Sequence, residues 1–138
     1  GLLVGKVALV RRLIELVDRP NLGANLDPTN FYVVHGEDYV EATRILADRV
    51  THVHLKDGRY SEEPMDEPWH EVPGGIWTLP AVGGEGDAQW TTLLEILRDA
   101  GYDGTVSLET SVADDIFGSV QRGVANLKRT IAEVEASA

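Results

Sequence analysis

The sequence contains no cysteine, few basic side chains and no long apolar run. Without cysteine the chain can form neither disulfides nor thiolate metal sites, which fits a cytoplasmic protein. The chain has 12 Lys and Arg residues against 23 Asp and Glu residues, giving a formal net charge of −11. A surface this acidic repels phosphate backbones, so we expect no nucleic-acid partner, although a local basic pocket could still hold a small phosphorylated ligand.

No apolar stretch approaches the roughly 20 residues that a membrane helix needs, so we expect no membrane partner. Residues 1–10 are apolar, but they lack the basic leader and small-residue cleavage site of a signal peptide. The composition that remains, 43% hydrophobic and 25% charged, is ordinary for a globular protein. A length of 138 residues suffices for a real core, so we assign residues 1–138 to one domain.

Helix and strand patterns alternate along the chain. Short apolar runs typical of strands occupy residues 21–27, 50–54 and 105–109. Apolar residues at helical spacing occupy residues 9–17, 37–47, 89–100 and 119–135. Such alternation predicts an α/β fold with a parallel sheet covered by helices.

Each predicted strand ends in a side chain that can bind a metal: Asp27, His54 and Glu109. Taken singly, the Asp before a proline is typical of a turn, the His of a satisfied core group and the Glu of an exposed strand end. The carboxyl ends of parallel strands meet at one edge of the sheet, where ligands bind in α/β folds. Their occurrence on three successive strands therefore predicts a site for a borderline-to-hard divalent cation.

Side chains alternate between the two faces of a strand, so Lys56 shares a face with His54. Lys56 is therefore a candidate to bind a substrate oxygen or phosphate. The alternative is an ion pair with Asp57 or Glu85. A second layer of the same face comprises the residues two places earlier in each strand, Asn25, His52 and Ser107.

The segment 57–87 is rich in proline and glycine and reads as a long irregular loop. Loops of this length inside a compact domain are usually functional or disordered, and aromatic residues argue against disorder. Trp69 and Trp77 lie within it. They either pack locally or contact a ligand.

Three parallel strands cannot close a barrel, and an open sheet of three leaves two bare edges. The chain also starts abruptly within its first helical pattern. We therefore expect it to be part of a larger unit.

Four motifs in order resemble the xylose isomerase-like TIM barrels, a superfamily of sugar isomerases, epimerases and abasic-site endonucleases. The run NLGANLDPTN at 21–30 is similar to that family's D-P-x-N strand, and HVHLKD at 52–57 to its H-x-H-x-K-D strand. The loop GGEGD at 83–87 resembles a G-x-G-x loop, and AGYDG at 100–104 with Glu109 resembles the final strand. The resemblance covers almost the whole chain.

The resemblance implies the C-terminal part of a (β/α)8 TIM barrel, strands six to eight with their helices, incomplete as given. It implies that Asp27, His54 and Glu109 are metal ligands, with Mn²⁺, Mg²⁺, Co²⁺ or Zn²⁺ as the ion. A fourth ligand, a Glu from strand five, would lie outside this sequence. Glu109 would also act as a catalytic acid/base, while Lys56, Trp69 and Trp77 bind substrate.

The implied function is a cytoplasmic, metal-dependent isomerase or epimerase of carbohydrate metabolism. Its substrate would be a small sugar, sugar phosphate or polyol-derived ketone, converted through an enediolate. The longer protein would be an enzyme, although this chain lacks one expected ligand.

Two other interpretations remain. The chain could be a non-catalytic partial barrel that associates with itself through its bare edges or binds a partner. An abasic-site endonuclease is disfavoured, because Asn30 stands where that branch has a histidine and DEPWH at 66–70 has the wrong spacing. His35 lies near Asp27 in sequence and could approach the site, although a surface role is favoured.

Overall fold

The chain folds into alternating helices and strands, as predicted. The computed structural model describes residues 5–110, 112 and 115–137. Its helices are α1 (Val7–Val17), α2 (Pro28–His35), α3 (Tyr39–Leu46), α4 (Trp90–Asp99) and α5 (Ile116–Ala136). Its strands are β1 (Ala24–Leu26), β2 (Val50–Leu55), β3 (Gly58–Ser61), β4 (His70–Glu71), β5 (Trp77–Pro80) and β6 (Val106–Leu108). Within the described residues, no helix has the length and apolar character needed to cross a membrane.

The three predicted strands form one parallel sheet in the order β1-β2-β6. Asn25 lies opposite His52, and His54 lies opposite Ser107. This register brings the carboxyl ends of all three strands to the same edge. Among the described residues, β1 and β6 each have one unpaired side.

Successive side chains of β2 point to opposite faces of the sheet, so that one face lies in the core and the other is half-exposed. Val53 and Leu55 are 0% and 1% exposed and pack in a cluster with Leu46 of α3 and Leu93 of α4. Burying an aliphatic side chain of this size contributes about 1.5–3 kcal/mol to folding, so the alternation is strongly fixed. His54 must then point to the opposite, half-exposed face.

Helix α2 was not expected from the sequence. It begins because Asp27 caps it, accepting a hydrogen bond from the Asn30 backbone N–H, and because Pro28 occupies the first turn. It ends after eight residues at Gly36, whose φ of 63° suits glycine.

The segment 57–87 is more ordered than the predicted irregular loop. It forms a small antiparallel sheet in the order β3-β5-β4. Its strands are two to four residues long, too short for an alternating pattern to stand out in the sequence.

Helix α1 buries less than its apolar pattern predicts. Of the apolar stripe at 9–17, Ile14 is buried, whereas Leu9 is 53% and Leu13 42% exposed. The neighbouring Leu16 is 65% exposed. A sheet of three strands offers no neighbour for this face, which is a physical reason for the exposure.

Candidate metal centre

Asp27, His54 and Glu109 converge at the carboxyl edge of the parallel sheet. Each offers one ligand atom, and these atoms lie within 4.8 Å of one another. Asp27 follows β1, His54 lies within β2 and Glu109 follows β6. The strand register places all three at one level, as the sequence predicts, and their role as metal ligands stays a prediction.

Local hydrogen bonds orient the Asp27 carboxylate and fix the backbone at Glu109. Asp27 Oδ2 accepts a 2.7 Å hydrogen bond from the Asn30 side-chain amide. The Glu109 backbone N–H donates to the Leu55 carbonyl at 2.8 Å, which extends the pairing of β2 and β6 beyond the strand end. Glu109 Oε2 lies 3.7 Å from His54 Nδ1.

Lys56 already places a positive charge between the two carboxylates. Its ammonium lies 2.9 Å from Asp27 Oδ2 and 3.0 Å from Glu109 Oε1. The sequence suggested Asp57 or Glu85 as its ion-pair partners, and that alternative is wrong, because the strand face carries the lysine toward the sheet edge instead. This edge of the sheet therefore attracts a cation.

Burial is the largest single influence on the pKa of both Asp27 and Lys56. Burial raises the pKa of Asp27, an effect that the hydrogen bond from Lys56 partly offsets. Burial lowers the pKa of Lys56, but its hydrogen bonds and attraction to Asp27 and Glu109 outweigh this, so that the pKa is raised overall. The lysine therefore stays charged.

The donor set fits a divalent cation. Two carboxylates and one imidazole supply mixed oxygen and nitrogen ligands, which suit Mg²⁺, Mn²⁺, Co²⁺ and Zn²⁺ in differing degrees. The side chain of Asp27 is 13% exposed, that of His54 36% and that of Glu109 46%. Three protein ligands on a half-open face leave room for a water or substrate oxygen.

A second layer lies beneath these donors. His52 Nε2 lies 2.9 Å from Ser107 Oγ, and the His52 ring meets the His54 ring edge-on with centroids 5.1 Å apart. Asn25 pairs with His52 in the strand register. This layer packs against His54 and limits its ring orientation.

Asp57 is a structurally important residue that the sequence reading did not single out. The residue is 8% exposed, and its carboxylate accepts four backbone N–H bonds of 2.8–3.0 Å. The donors are Gly58, Gly84, Gly86 and Ala88. A Cβ at Gly86 would overlap this carboxylate, so the glycine of the GGEGD motif is the signal that could have found it.

The tryptophans differ in their relation to the site. Trp69 and Trp77 are half-buried, and neither lines the cavity beside Lys56, so their contact with substrate stays a prediction. Trp90 of α4 is 4% exposed and donates its indole N–H to the Lys56 carbonyl at 3.3 Å. His35 shares a cavity of about 240 Å³ with Asp27 but lies outside the donor cluster.

Comparison with known proteins identifies relatives of the chain. The family model described as "Xylose isomerase-like TIM barrel" matches residues 2–132. Inosose dehydratase of Lacticaseibacillus casei is 29% identical over 111 residues, which cover 77% of this chain and 36% of that protein. Inosose dehydratase of Clostridium perfringens is 31% identical over 116 residues, covering 79% of this chain and 37% of that protein. The chain thus spans little more than a third of these relatives.

Solved structures share the fold. A xylose isomerase domain protein from Planctomyces limnophilus superposes with a TM-score of 0.68 at 29% identity, covering 93% of this chain and 43% of that one. A xylose isomerase-like TIM barrel protein from Mycobacterium smegmatis, solved in complex with magnesium, gives a TM-score of 0.72 at 16% identity, covering 94% and 41%. The chain belongs to the xylose isomerase-like TIM barrel family.

Proposed function

We propose that this chain supplies three ligands of a divalent metal centre in an enzyme acting on a small sugar, a sugar phosphate or a polyol-derived ketone. In this proposal β1, β2 and β6 are strands six to eight of a (β/α)8 barrel. The observation that carries it is the approach of the Asp27, His54 and Glu109 donor atoms to within 4.8 Å of one another. The names of the relatives support a substrate of this class.

The chemistry that suits these groups is proton transfer beside a carbonyl. A divalent cation bound there would polarise the carbonyl and stabilise the negative charge of an enediolate. Glu109 is the half-exposed carboxylate of the set, so it takes the proton from the neighbouring carbon and later returns it. Lys56 is the nearest cation to hold a substrate oxygen, and Trp69 and Trp77 are candidates to cover the ring.

The fate of that proton decides the reaction class. Return by Glu109 to the former carbonyl carbon gives an isomer, whereas an epimer needs a proton delivered to the original carbon by a second acid on the opposite face. Loss of the β-hydroxyl as water, which takes up the proton held by Glu109, gives dehydration instead. The relatives named inosose dehydratase favour dehydration as the second candidate, on a cyclic polyol-derived ketone.

Metal affinity tests the site itself. We expect the chain to bind Mn²⁺ in isothermal titration, and His54→Ala to lose that binding because it removes one of three converging donors. His35→Ala is the matched control, since His35 lies outside the cluster. Equal Mn²⁺ affinity in wild type and His54→Ala would refute the metal centre.

Proton exchange tests the reaction. NMR in D₂O with Mn²⁺ and a panel of ketoses and an inosose should show deuterium entering the carbon beside the carbonyl of one substrate. Glu109→Gln should abolish this exchange, whereas Glu85→Gln, in the loop before α4, should not. Exchange that persists in Glu109→Gln would exclude its assigned role, and the product spectrum separates isomer, epimer and dehydrated ketone.

A second hypothesis is that the chain is a partial barrel that associates with a copy of itself. The observation in its favour is the coincidence of unpaired sides on β1 and β6, within the described part of the chain, with the exposed leucines of α1. Association would cover both features.

A further inference from the structure

Lys56 contacts the same two carboxylates that the proposed metal centre uses. Its ammonium lies 2.9 Å from Asp27 Oδ2 and 3.0 Å from Glu109 Oε1, and its side chain is only 19% exposed. Asp27 and Glu109 are also two of the three side chains whose donor atoms converge at the centre. A divalent ion bound to these carboxylates would repel the ammonium and replace it as their partner.

A cavity of about 350 Å³ adjoins this position, between α2 and the small antiparallel sheet. Lys56 lines the cavity in addition to contacting the two carboxylates. The wall also contains accessible side chains that carry hydrogen-bond donors, namely Asn30, His70 and Thr78. The four-carbon stem of a lysine is flexible, so a released ammonium can turn into this space.

The charge that the cavity presents depends on the partner of this lysine. In the structure, Asp27 and Glu109 neutralise the ammonium. When a divalent ion balances the two carboxylates instead, the positive charge of Lys56 is left over. Asp57, the other ionised side chain among the described lining residues, already accepts four backbone N–H bonds. Because a carboxylate has about four lone-pair sites, Asp57 offers the released ammonium no partner.

We propose that binding of the metal releases Lys56 into this cavity, where its ammonium binds an oxyanion group of the substrate, either a phosphate or a carboxylate. The proposal rests on the proposed function, because the metal is what displaces the lysine. An anion in the cavity would in turn draw the ammonium away from the carboxylates and leave them free for the metal. The two ligands therefore bind cooperatively, and each raises the affinity for the other by the same factor.

Isothermal titration of the full chain with Mn²⁺, with and without methylphosphonate, tests this coupling. We expect methylphosphonate to tighten Mn²⁺ binding by wild type about tenfold, within the usual range of such couplings. Lys56→Met removes the ammonium but keeps an unbranched side chain of similar length, so methylphosphonate should not tighten its Mn²⁺ binding. Lys128→Met, at an exposed position of α5, should show the wild-type gain. Acetate in place of methylphosphonate distinguishes a carboxylate site from a phosphate site, and a gain with either anion supports the proposal.

Two results would overturn the proposal while leaving the metal centre intact. Equal Mn²⁺ affinity of wild type with and without either anion would show that the two sites are uncoupled. A gain in Lys56→Met as large as in wild type would show that the anion binds the metal directly and not the lysine. Absence of Mn²⁺ binding by wild type would instead refute the proposed function, and this proposal with it.

Discussion

At the scale of single residues, Lys56 acts as a built-in cation. Its ammonium holds Asp27 and Glu109 close together without a metal. A metal ion bound at this site would therefore compete with the ammonium for the same carboxylate oxygens. The two like charges would otherwise repel at short range.

The substitution Lys56→Met tests this competition. Without metal we expect it to cost about 1.5–3 kcal/mol of unfolding free energy, because hydrogen bonds to two carboxylates are lost. Mn²⁺ should restore most of this loss, so that the metal stabilises Lys56→Met more than wild type. Urea denaturation with and without Mn²⁺ measures both effects.

Lys128→Met provides the comparison, since this lysine is exposed on α5. It should change neither the stability nor the gain from Mn²⁺. An equal gain from Mn²⁺ in wild type and Lys56→Met would show that lysine and metal do not share the carboxylates.

The sequence predicted the convergence of three side chains better than the contacts around them. Asp27, His54 and Glu109 follow from strand ends and a fixed period of two, which are properties of the backbone. The partner of Lys56 depends on the reach of a flexible four-carbon stem across two neighbouring strands. No local sequence pattern shows how far this stem extends, so the sequence does not predict that Lys56 contacts Asp27 and Glu109.

At the scale of elements, Asp57 fixes the loop that leads into α4. The substitution Asp57→Asn replaces one acceptor oxygen by a donor that opposes the backbone N–H groups. We expect a loss of about 2–4 kcal/mol, since at least one buried donor is left unpaired. Hydrogen exchange should accelerate at Gly84, Gly86 and Ala88, the amides that Asp57 binds.

Asp66→Asn is the control for this prediction, because Asp66 is exposed in the same segment. It should leave the exchange of all three amides unchanged. Unaltered protection in Asp57→Asn would mean that the loop is held by other contacts.

The longer helices were predictable from their apolar spacing, whereas α2 and the strands of the small antiparallel sheet were not. Helix α4 buries Trp90, Leu93, Leu94 and Leu97 at helical spacing, a signal repeated over several turns. Helix α2 has only eight residues with little amphipathic pattern. The start of α2 could nevertheless have been predicted, because an Asp followed by a proline, here Asp27 and Pro28, is a common helix N-terminus.

At the scale of the whole molecule, the exposed apolar face of α1 is a candidate contact surface. Leu9 and Leu16 are 53% and 65% exposed and lie seven residues apart, on one side of the helix. If the chain covers this face with a second copy, Leu9→Glu combined with Leu16→Glu should shift the population toward monomer. Charge introduced into an apolar contact costs several kcal/mol of association, roughly a hundredfold or more in affinity.

Light scattering coupled to size-exclusion chromatography measures this shift. Arg12→Glu, which alters an exposed and already charged position of the same helix, should leave the mass unchanged. A wild-type chain that is monomeric at high micromolar concentration would contradict the association.

The central claim is that one cation binds where Asp27, His54 and Glu109 meet. Anomalous diffraction from a crystal grown with Mn²⁺ tests it most directly, because the ion itself is located. We expect one strong peak within about 2.0–2.2 Å of a donor atom from each of the three side chains. A peak bound elsewhere, or no peak at this edge of the sheet, would contradict the metal centre.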